Sequence, residues 1–257
     1  MKQSKLRMPS DTFATLSSDA VDFYQANGFV RVREMITRDE AAKFRQGAMD
    51  FITKNQTNRS DEIFVQMVNV WREDAIMKQL TFHPNITAAA TRLAGAPLRL
   101  WHDQILTKKP GYSKATEFHQ DQPYWPHANS PHPISCWIAL CDVPVERGCM
   151  TFLPSSQKRT DLEAQNLASA QSLFSICLDF QWNERITVPL QAGDCTFHHG
   201  RCAHMATPNL TDEPRVAHVA IFMDAATQYS GKGHFVTDPL GLTEGDLLDG
   251  EMFPEIS

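Results

Sequence analysis

From Leu98 onward the chain is a succession of short apolar runs cut by Pro, Gly, Asn and Asp, and this texture restricts its fold more than any other feature. "LRLWHDQILTKK" and "ISCWIALCDV" are the longest runs, followed by "CMTFLP", "FSICLDF", "RITVPL", "DCTFHHG" and "RVAHVAIFMD". They are rich in Val, Ile, Trp and Phe, which suit a pleated, half-buried surface. Seven or eight such strands with turn signals between them predict a sandwich or barrel. "DLEAQNLASAQSL", residues 161–173, breaks the series and is expected to be an inserted helix or a long loop.

The N-terminal third reads differently. Ser18 is placed to cap a helix through "DAVDFYQAN" that Gly28 closes, and "FVRVREM" then alternates in the manner of a strand. Thr37 and Glu40 form a capping box for a helix in which Ala41, Phe44, Ala48, Phe51 and Ile52 recur at helical spacing. Asn85 is placed to cap "ITAAATRLA", which Gly95 ends. No repeat or linker divides the chain. One domain over 1–257 is expected, mainly β with flanking helices: a helical part at about 18–96, a β-core at about 97–224 and a tail at 225–257.

Composition excludes several roles. Among 257 residues, 42% are hydrophobic and 21% charged, the balance of a water-soluble domain. The formal charge of −6, with no basic stripe, argues against a nucleic-acid partner. Lys2, Lys5 and Arg7 read as a frayed tail. No apolar run reaches the ~18 residues of a membrane span. The six cysteines form no Cys-x-x-Cys and fall largely within strand-like runs, as reduced, buried thiols do. The expectation is a cytoplasmic monomer or small homo-oligomer acting on a small molecule.

"EFHQDQPYWP" carries the chemistry. His119 and Asp121 lie two residues apart, so on a strand both would face one side. Two imidazoles and one carboxylate on one face suit divalent iron and leave positions open for cosubstrate and dioxygen. The second histidine is expected from a distant strand across the barrel. In "AGDCTFHHGRCAHMATPNLTDEPRVAHVAIFM", Gly193-Asp194 turns into a strand, His204 falls near its end, and Pro208, Asn209, Asp212 and Pro214 reverse the chain. The reversal is expected to return Arg215 beside His204 on the neighbouring strand, where a guanidinium can hold a dicarboxylate bidentately. His198 and His199 compete for the ligand position, and the arginine spacing favours His204.

"FHQDQPYWP", "ISCWIALCDVPVERGCMTFLPSSQK" and "AGDCTFHHGRCAHMATPNLTDEPR", with "FYQANGFVRVREMITRDEAAKF" before them, resemble the phytanoyl-CoA dioxygenase family of iron(II)- and 2-oxoglutarate-dependent oxygenases. The resemblance runs from about residue 20 to 224 and implies a double-stranded β-helix, the cupin-like jelly roll. By position it implies iron ligation by His119, Asp121 and His204, and an Arg215 partner for the cosubstrate's C5 carboxylate. It also implies pocket roles for Gln120, Lys108 and Trp137. Founding members carry a serine two residues after the distal histidine. Here Ala206 stands in that place, leaving Thr207 or Lys108 as substitutes.

Tyr124 and Trp125 are read either as core aromatics closing the barrel mouth or as a substrate wall, and His127 and His132 as residues able to touch substrate. His102, His218 and His234 are read as structural or surface residues. "WREDA" (71–75) and the tail are candidate lids. The expected reaction is hydroxylation of an unactivated C–H bond of a small metabolite or natural-product intermediate, with release of succinate and CO2. Asp121 disfavours halogenation, which needs the carboxylate position vacated. Same-site desaturation, or a metal-dependent jelly-roll enzyme that is not an oxygenase, are the alternatives, and Arg215 weighs against the last.

Overall fold

Two antiparallel sheets face one another across the second half of the chain. The computed structural model describes residues 6–55, 65–111, 113–165 and 172–256. The larger sheet contains β1 (Phe29–Val32), β2 (Val65–Val68), β3 (Leu98–Lys108), β6 (Ile134–Ala139), β9 (Cys195–His199), β11 (Arg215–Asp224) and β13 (Glu255–Ile256). Its order is β1-β9-β6-β11-β3-β13, with β2 also paired to β3. The smaller sheet contains β4 (Thr116–His119), β7 (Met150–Phe152), β8 (Ile186–Val188) and β10 (His204–Ala206), in the order β4-β10-β7-β8. A short ribbon pairs β5 (His127–Ala128) with β12 (Gln228–Tyr229). The run of short strands predicts a sandwich or barrel, and this arrangement is the jelly roll that the family resemblance implies.

Period-2 alternation divides the larger sheet into two working faces. On β11, Val216, Ala220 and Phe222 join the core beneath the helices, while Ala217, Val219 and Ile221 join the core between the sheets. β3 pairs with β11 from Arg215↔Lys108 to Ile221↔His102, then slips by one residue. That bulge lets Trp101 and His102 both sit on the inter-sheet side while Leu100 serves the other core. Phe29, on the edge strand β1 of the larger sheet, and Phe152, on β7 of the smaller one, stack at 4.6 Å and join the two sheets.

The helices α1 (Ser18–Asn27), α2 (Arg38–Asn55), α3 (Ala75–Thr81) and α4 (Pro84–Ala94) cover the outer face of the larger sheet. The apolar stripe expected of α2 is buried, and its capping box forms: Thr37 N–H donates to Glu40 and Glu40 N–H to Thr37 Oγ1. Two caps differ by a residue or two from expectation. Ser17, not Ser18, accepts Ala20 N–H. His83, not Asn85, caps α4, because Pro84 fills the first helical position; the Asn85 side chain instead donates to Met35 O at 2.9 Å. Beneath the helices, Asp103 accepts from Trp71 N–H and Thr81 Oγ1 and lies 3.1 Å from His218 Nε2, all out of contact with water.

"FSICLDF" is not a strand. Ser172 accepts Phe174 N–H and opens α5 (Leu173–Ile176), and a 3-10 turn over Leu178–Trp182 follows. Leu173, Cys177 and Phe180 bury together at i, i+4 and i+7, a helical period that competes with the run's strand-like composition. Of the expected insertion at 161–173, residues 166–171 lie outside the described residues, and 161–165 carry no regular structure. The tail is partly built into the sheet, since β13 pairs with β3. All six cysteines are buried and unpaired. No helix of the described residues is long and apolar enough to cross a membrane.

Candidate metal centre

His119 ends β4, and the chain turns immediately, so the His-x-Asp pair does not share a strand face as expected. Asp121 opens a 3-10 turn over Gln122–Tyr124, and the N–H groups of Asp121 and Gln122 both donate to Gly200 O at 2.8 Å. His204 is not across the barrel either. It lies on β10 as the register partner of His119. Neighbouring strands therefore bring the two imidazoles together, and the turn brings the carboxylate to them.

The donor set is oriented. His119 Nδ1–H donates to Glu117 O at 2.7 Å and His204 Nδ1–H to Cys202 O at 2.9 Å. Each Nε2 is thereby left with a lone pair, 3.3 Å and 3.8 Å respectively from Asp121 Oδ1. One ligand atom from each residue lies within 4.8 Å of the others. Burial opposes charge on Asp121, yet the surrounding histidines, His204 foremost, hold its carboxyl well below the usual range. Burial likewise opposes a charged His119, but Asp121 prevails and its pKa is raised. Burial pushes His204 down to about 3. Two lone pairs and a carboxylate converge where a cation fits.

The rival histidines separate. His199 turns out of the site, with Nε2 donating to Pro131 O at 2.9 Å and Nδ1 accepting Arg201 N–H. His198 stays inside, its Nε2 3.6 Å from Asp121 Oδ2 and its ring 4.5 Å from that of His204.

Arg215 is buried on the larger sheet, not on a strand beside His204: the reversal after β10 crosses between the sheets. Its guanidinium lies 5.2 Å from the Trp137 ring centre, and Nη1 donates to Leu106 O. Burial pushes it down to about 10. Lys108, its register partner, is buried with Nζ donating to Lys114 O at 2.7 Å, and burial together with Arg215 pushes it down to about 7. Among the described residues no carboxylate pairs with either cation. Two buried cations without a counter-charge are costly, and an anion bound between the sheets relieves that cost.

A cavity of about 250 Å³ joins these groups, lined by the metal-site residues, Arg215, Trp137, Tyr124 and Trp125. Tyr124 Oη–H donates to Gln165 O, and burial pushes it up to about 12. Gln120 is absent from the lining. Its amide instead donates to the carbonyls of Ser156, Arg159 and Arg201, tying loops together. His127 is also behind the wall, edge-on to Trp101 at 4.5 Å. Lys108 is withdrawn from the lining beside Arg215. Ala206 lines the cavity, while the Thr207 hydroxyl is given to Val145 O and does not replace the missing serine. "WREDA" packs away from the cavity, with Trp71 edge-on to Phe82.

His102, Gln104, His234 and Phe235 also line the cavity. The first two share a strand face with Leu106 and Lys108, and since the resemblance implies a pocket role for Lys108, period-2 alternation along the strand could have marked them as well. Nothing in the sequence marked His234. It reaches the cavity from the C-terminal tail, a candidate lid that here contributes His234 and Phe235 to the wall.

Known proteins resemble this chain in sequence and in fold. The phytanoyl-CoA dioxygenase (PhyH) family profile matches residues 24–217. The peroxisomal phytanoyl-CoA dioxygenase of Homo sapiens is 21% identical over 232 residues, covering 80% of this chain and 68% of that protein. The crystal structure of the non-heme alpha-ketoglutarate-dependent carbocyclase SnoK from nogalamycin biosynthesis is 34% identical with a TM-score of 0.86, covering 97% of this chain and all of that one. The epimerase SnoN, in complex with Fe3+, alpha-ketoglutarate and nogalamycin RO, is 34% identical with a TM-score of 0.78, covering 92% of this chain and 97% of that one. A matched stretch that spans the site and most of the fold makes the chain a member of the phytanoyl-CoA dioxygenase (PhyH) family.

Proposed function

We propose that the protein is an Fe(II)- and 2-oxoglutarate-dependent oxygenase acting on an unactivated C–H bond of a small, ring-bearing natural-product intermediate. The observation that carries this reading is the pair of pinned imidazoles facing Asp121, in one cavity with a buried, uncompensated Arg215. His119, Asp121 and His204 would hold iron, and Arg215, backed by Lys108, the C5 carboxylate of 2-oxoglutarate. When bound, the pair would use dioxygen to supply oxidative decarboxylation of 2-oxoglutarate to succinate and CO2, one oxygen atom entering succinate and the other serving to remove a hydrogen atom from substrate. The chain's own part is positional. Glu117 O and Cys202 O fix the ring orientations, and the Trp137 ring lies 5.2 Å from the guanidinium carbon and backs it. Trp125 and Tyr124 wall the space and exclude water from the reacting atoms.

A second outcome at the same carbon, ring closure or epimerisation instead of hydroxylation, is favoured by the carbocyclase and epimerase at 34% identity. Product mass distinguishes them: hydroxylation adds an oxygen atom, ring closure removes two hydrogens, and epimerisation leaves mass unchanged. The class itself is tested by succinate release from 2-oxoglutarate in air with added Fe(II). Release is expected from the wild type and is lost in Asp121→Ala. Succinate formation that is independent of iron, or unaffected by Asp121→Ala, contradicts the assignment.

A further inference from the structure

β3 lays out the cavity floor as a ruler. Lys108 pairs with Arg215 at one end and His102 with Ile221 at the other, six residues or roughly 20 Å apart. On the reading above, the cosubstrate occupies the Arg215 end, so the space toward His102 is left for substrate. The wall there comes from His102 and Gln104 of β3, Gln66 of β2, and His234 and Phe235 of the tail. Gln66 Nε2 donates to Gln104 Oε1, which ties the two amides to each other, and the two histidines stand beside them with Nε2 atoms turned to no partner among the described residues.

Their tautomers are opposite. His102 Nδ1 faces the carbonyl of Asp103 at 3.4 Å, so Nδ1 carries the proton and Nε2 is an acceptor. His234 Nδ1 accepts Val236 N–H at 3.2 Å, so its Nε2 carries the proton and donates. Neither Nε2 has a hydrogen-bond partner among the described residues. Burial lowers both rings to about 4, which keeps them uncharged near neutrality. Arg215 is the single cationic side chain among the described residues lining the cavity.

We propose that His102 and His234 form a donor–acceptor clamp for a hydroxyl group on an uncharged, ring-bearing substrate. The hydroxyl gives its proton to His102 Nε2 and accepts from His234 Nε2–H, with the ring against the aromatic walls. An ether satisfies only the donor, and a carboxylate leaves His102 facing an anion with no proton to share. This assignment rests on the oxygenase reading for the cosubstrate's place, so the two are tested by separate signals.

Calorimetric titration of the Mn(II)- and 2-oxoglutarate-loaded protein with 2-naphthol, 2-methoxynaphthalene and 2-naphthoate reads the clamp directly. 2-Naphthol is expected to bind about tenfold more tightly than its methyl ether, the scale of one net hydrogen bond. Naphthoate should bind no better than the ether. His102→Phe and His234→Phe should erase the preference, and His102→Gln, which keeps an acceptor, should retain most of it. Mn(II) and 2-oxoglutarate binding should be unchanged in all three variants, which also reports that they fold. Equal affinity for naphthol and ether, undiminished preference in both phenylalanine variants, tighter naphthoate binding, or no naphthol binding overturns the clamp. Loss of Mn(II) and 2-oxoglutarate binding in the wild type instead removes the oxygenase reading.

Discussion

Lys108 occupies an environment that punishes its own charge. Its ammonium is buried beside Arg215 and donates to the backbone carbonyl of Lys114, its one hydrogen-bond partner among the described residues, and its pKa falls to about 7. In the unfolded chain it titrates near 10.5, so between about 7 and 10.5 the unfolded state binds the extra proton and stability rises with pH. Denaturant unfolding of wild type and Lys108→Met, followed across that range without cosubstrate, should show the rise in the wild type alone. Parallel curves would mean that Lys108 is solvated. At this scale the sequence singled out His119, Asp121, His204 and Arg215, and the structure gathers all four around one cavity, although through strand pairings that the spacing did not foretell. Gln120 sits in the same motif, but side-chain direction is set by the turn, and there its amide serves backbone carbonyls.

At the level of elements, the site depends on one turn docking on another. Gly200 O accepts both Asp121 N–H and Gln122 N–H, and a Cβ at Gly200 would lie 2.8 Å from Trp125 Cζ3 and 3.2 Å from Gln122 Cβ. Gly200→Ala must therefore shift the turn that carries Asp121. Overpacking of this kind costs about 1–3 kcal/mol, and Mn(II) affinity, read by electron paramagnetic resonance, should fall at least about tenfold. Unchanged affinity would show that Asp121 is held independently of Gly200. Strand identity was readable from period-2 runs, and α2 from its stripe and capping box. Sheet membership was not: nothing local says that β10 pairs with β4 while β11 crosses to the other sheet, because pairing is decided by long-range packing. "FSICLDF" was misread because its apolar residues fit both periods, and the third core cluster selects the helical one.

Over the whole molecule, the two faces of the larger sheet divide structure from chemistry. The outer face is sealed by helices and by the buried Asp103–His218–Thr81 contact, and the inner face holds a cavity between uncompensated cations and an oriented donor set. The family resemblance was legible over most of the chain, whereas His234, delivered by the tail, was not, since no periodicity links it to the strands it faces. The account requires one metal and one 2-oxoglutarate to bind together in that cavity. Anaerobic titration with Fe(II) and 2-oxoglutarate tests this most directly. A visible band near ~500 nm, saturating at one equivalent of each, absent in His204→Ala and retained in His199→Ala, is the predicted result. No band in the wild type, or a band that survives His204→Ala, would contradict it.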